Sequence, residues 1–168
     1  WDNLTNKGVI RIPPDRVFVW NDAQRREAIA LHGLDADGVV VTGAPVFDQW
    51  FGQGPGTTRE EFCGKVGLAP DRPFFLYLCS SGFIARDEAS FVRRWVEAVR
   101  RSPDSRVREA GLLVRPHPRG VEAQWEVFDG AGLRGTAVWP RGDTNPVDAA
   151  SKRDYFDSLY HATSAVGI

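Results

Sequence analysis

Methionine is absent from the 168 residues, and lysine is nearly so, at three against 18 arginines. The skew reads as a GC-rich coding bias and carries no functional weight. Cysteine is scarce: Cys63 and Cys79 form neither a zinc-ligand pattern nor a dense disulfide framework. A reduced, cytoplasmic chain is the simpler expectation. An excess of either charge is also missing, with 21 basic residues against 22 acidic ones and a net charge of −1. Near-neutrality removes the simplest argument for a nucleic-acid or anionic-membrane partner. No apolar run approaches the roughly 18 residues that span a bilayer, and no signal peptide is read at the start.

What is present is a core. Hydrophobic residues make up 42% of the chain, with six Trp and ten Phe, enough to fill a core and an argument against a disordered chain. Trp1 at the start and the apolar "SAVGI" (Ser164 to Ile168) at the end read as an excerpt of a longer protein. Between them, short β-branched or aromatic runs alternate with longer amphipathic stretches, the pattern of an α/β fold with parallel sheets.

The alternation assigns strands to Arg16–Trp20, Gly38–Ala44, Pro73–Cys79, "GLLVRPHP" and Gly135–Pro140, and a returning strand at "SAVGI". A helix follows Asn21 or Asp22 as cap and stops at Gly33. Thr57 with Glu60, or Thr58 with Glu61, has capping-box spacing for a second helix. In the third, Phe91, Val92, Trp95, Val96 and Val99 share one face, with Arg93, Arg94, Glu97, Arg100 and Arg101 turned away. Ser151 and Asp154 have the same capping-box spacing at the start of the last helix. Asp157 is read as a first-turn residue there, and His32 and His161 as helix-end histidines.

In open α/β sheets, ligands collect at the carboxyl ends of the strands. Three loops leave those ends: Ser80–Gly82, Arg115–Gly120 and Trp139–Asp143. Ser80, Ser81 and Gly82 combine hydroxyls and close backbone approach at a helix start, a phosphate cradle or simply a cap. In "RPHPRG", Pro116 and Pro118 remove two backbone donors and stiffen the chain around His117. Such stiffness aims an imidazole at an anion; the alternative is a histidine bonded to a carbonyl at a strand end. Arg115 and Arg119 are weaker candidates, because most such arginines are solvated. Trp139 either stacks on a nucleobase or packs in the core.

The order of these pieces resembles the GT-B superfamily of nucleotide-sugar glycosyltransferases. "VVVTGAPVFDQWF", "REEFCGKVGL" and "PFFLYLCSSG" look like the crossing from its first Rossmann-like domain into its second. "RPHPRG" is similar to the His-Pro segment of bacterial polysaccharide sialyltransferases, capsule transferases, CDP-glycerol glycerophosphotransferases and UDP-N-acetylglucosamine 2-epimerases. The resemblance implies the end of an acceptor-side domain at 1–50, a connection at 51–56 and an incomplete donor-binding domain at 57–168. It implies a cytoplasmic transferase in polysaccharide biosynthesis, moving a sugar or polyol phosphate from a nucleotide-activated donor to a surface-carbohydrate acceptor.

On that likeness Ser80, Ser81 and Gly82 match the first phosphate loop and His117 the donor-phosphate histidine. Trp139 and Pro140 match the base-side loop. No cofactor or metal ligand is assigned, the catalytic base stays unassigned, and peripheral membrane association through segments outside the chain is left open. A nucleotide-sugar 2-epimerase on the same scaffold, or a nucleotide-binding protein without turnover, are the alternative expectations.

Overall fold

Short β-branched runs form strands and the amphipathic stretches between them form helices, giving two α/β units at Trp1–Gly54 and Pro55–Ile168. The computed structural model describes residues 8–118, 122–128, 133–142 and 145–167. In the first unit, β1 (Val17–Val19) pairs in parallel with β2 (Val39–Val41) across the crossover helix α1 (Asp22–His32). Asn21 caps α1 by accepting the Gln24 N–H. Gly33 ends it in the left-handed region at φ 66°, which a Cβ would disfavour. Val17, Val19 and Val39 bury one face of the pair against Ala28 and Leu34. The expected strand 38–44 is shorter because Gly38 closes a 3-10 turn, and Pro45–Trp50 forms another 3-10 segment.

The second unit holds a four-stranded, wholly parallel sheet. Its strands are β3 (Phe74–Leu78), β4 (Gly111–Arg115), β5 (Thr136–Val138) and β6 (Ser164–Gly167), in the order β5-β4-β3-β6. The chain runs outward from β3 to β5 and then returns to the other side of β3, so direction reverses between β3 and β6. This is a Rossmann-like arrangement. Both faces of the sheet are covered, so β3 and β4 read as continuous apolar runs. Side chains alternate between the faces. Phe74 and Leu76 pack with Leu113 under α2 (Arg59–Val66) through Phe62, Cys63 and Val66. Tyr77, Leu112 and Val114 pack on the opposite face under α3 (Glu88–Arg100) through Ala89, Val92 and Val96.

Thr58 and Glu61 form the capping box of α2. A four-residue helix α4 (Ser105–Arg108) precedes β4. The last helix, α5 (Ala149–Tyr160), departs from the expected start. Its cap is Asp148 and Ser151 is the N3 partner, so Ser151 and Asp154 do not form a box. Asp154 instead bonds Lys65 at 2.6 Å. Asp157 is no first-turn residue: fully buried, it accepts the Gly56 N–H at 2.8 Å and the Thr57 hydroxyl at 2.7 Å. Arg100 does not point away either. It turns back to donate to the carbonyls of Arg108, Ala110, Arg134 and Gly135 at the amino edge of the sheet. Among the described residues no helix is long and apolar enough to cross a membrane.

Candidate functional site

Parallel pairing of β3, β4 and β5 puts the residues after Leu78, Arg115 and Val138 on one carboxyl edge. The three loops that the sequence singled out therefore leave from the same rim. Arg119, Gly120 and Asp143 lie outside the described residues. A cavity of about 230 Å³ opens at this edge, and both Arg115 and His117 line it together with Cys79, Pro146 and Tyr155.

Arg115 is the residue whose standing changes most. Expected to be solvated, it is only 5% exposed. As the last residue of β4 it sits opposite Leu78, and its guanidinium lies 4.8 Å from the Tyr155 ring and 5.4 Å from the Trp139 ring. Ring faces attract a cation but satisfy no N–H donor. Nη1 is buried with no hydrogen-bond partner among the described residues. Burial lowers its pKa, with Tyr155 and Asp154 acting in the opposite direction; an arginine nonetheless keeps its proton in proteins. Asp154, the acidic group in range, is already held by Lys65. A buried cation left without an anion is costly unless a ligand supplies one.

His117 is half-buried two residues further on, between the buried Pro116 and the exposed Pro118. The stiff segment thus places an imidazole and a guanidinium on one cavity wall. Trp139 is half-buried and set in the packing, edge-on to Phe62 at 5.8 Å and beneath Lys65 as well as Arg115. Its ring serves the core and holds cations, contacts of the packing alternative. Pro140 follows it through a cis peptide bond.

The expected cradle at Ser80–Gly82 is also different in kind. Helix α3 does not start there. Residues 81–87 intervene, turning back so that Ile84 and Ala85 both donate to the Ser81 carbonyl. The Ser80 N–H donates to both carboxylate oxygens of Glu88 at 2.9 Å. Glu88, 2% exposed, also accepts the Tyr77 hydroxyl at 3.2 Å. An internal carboxylate holds the amide that a phosphate was expected to take. Burial, reinforced by Glu88, pushes the Cys79 thiol well above its ordinary range, so it is no ready nucleophile.

The sequence reading passed over Glu88 and Tyr155. No local signal marks them, because a loop must first bring each back to the strand ends. The expectation of no Asp-x-Asp metal pair is also mistaken, since Asp35–Ala36–Asp37 has that spacing. Asp35 spends its carboxylate on the Asp37 N–H at 3.2 Å, capping a 3-10 turn before β2. A second cavity, about 870 Å³, lies at the opposite, amino edge, where Arg100 is committed to carbonyls. Comparison with protein-family models, with curated proteins and with solved structures gives no match.

Proposed function

We propose that the chain is the donor-side portion of a glycosyltransferase-like enzyme of GT-B type, acting in polysaccharide biosynthesis. It takes a nucleotide-activated sugar or polyol phosphate and passes that group to a carbohydrate acceptor. The observation that supports this reading is the buried Arg115 guanidinium, with Nη1 unpaired among the described residues, beside His117 at the carboxyl edge of a Rossmann-like sheet. Ligands of such sheets bind at that edge. An anion there gains charge-assisted hydrogen bonds from both groups. Fixed donors at a donor phosphate also stabilise the negative charge that grows on the leaving group as the glycosyl bond breaks.

The test is calorimetry with UDP, CDP, GDP and CMP on the chain and on its Arg115→Met and His117→Ala variants. One nucleotide or more should bind, and each variant should weaken it by about tenfold or more, as expected for charge-assisted bonds of ~1.5–3 kcal/mol. Equal binding by parent and both variants would overturn the assignment.

A further inference from the structure

The two halves of the carboxyl edge carry basic groups on one side and an acidic group on the other. On the β4 side stand Arg115 and His117. On the β3 side, Glu88 fixes a carboxylate against the Ser80 amide, with Tyr77 as its other donor. Cys79 lies between them, lining the cavity and adjoining Ser80 in the chain. Burial first and Glu88 second push its thiol pKa up.

A pyrophosphoryl group held by Arg115 needs donors for its second phosphate. Past the cavity-lining Cys79 the next backbone amide on the β3 side is that of Ser80, and Glu88 already holds it. Like charges in a poorly hydrated place disfavour one another's ionised form. The space is small as well: about 230 Å³, below the roughly 300–1,000 Å³ of pockets that enclose drug-sized ligands. Leu78, Pro116 and Pro146 supply apolar wall, and Arg115 and His117 are the basic groups among the described lining residues.

We infer that this site takes a single phosphoryl group, as in a phosphate ester or a donor activated through one phosphate, and rejects a pyrophosphoryl group, because Glu88 occupies the backbone donor a second phosphate would need. The inference rests on the Arg115–His117 cavity being the phosphate site and narrows its substrate class.

The experiment is calorimetry at fixed ionic strength with inorganic phosphate and with pyrophosphate, on the parent chain, Arg115→Met and Glu88→Gln. The parent should bind phosphate and bind pyrophosphate about tenfold more weakly, against the order that charge alone would give. Arg115→Met should bind neither. Glu88→Gln keeps an acceptor for the Ser80 amide while removing the charge, so it should tighten pyrophosphate binding by about tenfold more than it tightens phosphate binding. If the parent binds neither anion, the phosphate site itself falls. If the parent binds pyrophosphate as tightly as phosphate or better, the phosphate site stands and the single-phosphoryl inference falls. That comparison needs no variant. A folded Glu88→Gln chain, checked by circular dichroism, with unaltered pyrophosphate binding also overturns the inference.

Discussion

Arg115 is buried with Nη1 unpaired among the described residues, and that makes its effect on stability separable from its effect on binding. Methionine of similar reach keeps the apolar contacts and removes the buried charge. The cation-to-ring contacts with Trp139 and Tyr155 work the other way, at about 0.5–2 kcal/mol. Replacement of buried ionic groups by apolar ones is commonly neutral or stabilising. Arg115→Met should therefore unfold in urea at the same midpoint as the parent or above it. A loss beyond ~1 kcal/mol, comparable to an ordinary intramolecular hydrogen bond, would make Arg115 a structural residue. Asp157 is the opposite case, a buried carboxylate with its donors in place at Gly56 and Thr57. Asp157→Ala strands both donors and should cost about 1–3 kcal/mol in the same assay. A cost near zero would mean that water replaces the carboxylate.

Among the elements, the caps give the sharpest pH behaviour. Asp104 caps α4 and holds Arg106, whose side-chain bond and then backbone N–H pull the carboxyl pKa down to about 2. The unfolded carboxyl titrates near ~3.9. The folded value is the lower one, so this cap's contribution is complete above the unfolded value and is lost as pH falls through the folded value. The Asp104 carboxyl carbon should still show the ionised chemical shift at pH about 3; half-protonation near 3.9 would sink the assignment.

Caps also show what could be read directly from the sequence. Asn21, Gly33 and the Thr58–Glu61 box involve neighbours within six positions, and the alternation of β3 states its two faces outright. The Asp148 cap was hidden because Ser151 and Asp154 imitate its spacing. Arg100 looked solvated because its carbonyl partners come from separate loops. The same limit applied at the site. Parallel strands predicted the shared rim, but the burial of Arg115 depends on Trp139 and Tyr155, and the filling of the Ser80 amide depends on Glu88 returning across a seven-residue loop.

At the scale of the molecule, the sheet of the second unit divides its arginines by edge. Arg100 ties loops together at the amino edge and Arg115 faces a cavity at the carboxyl edge. Residues 55–168 contain both core layers of this sheet, α2 with its strand contacts on one face and α3 on the other. Expressed alone, they should give a cooperative urea transition, measured by circular dichroism. A broad, non-cooperative loss of signal would mean that this core does not sustain itself. The placement of Trp139 beneath Arg115 has an optical consequence. A positive charge beside an indole changes the energy of its emission, and an anion settling on that charge cancels part of the field. The chain therefore carries its own fluorescent reporter of occupancy. Emission should shift during a phosphate titration of the parent and stay constant in Arg115→Met, with no label attached.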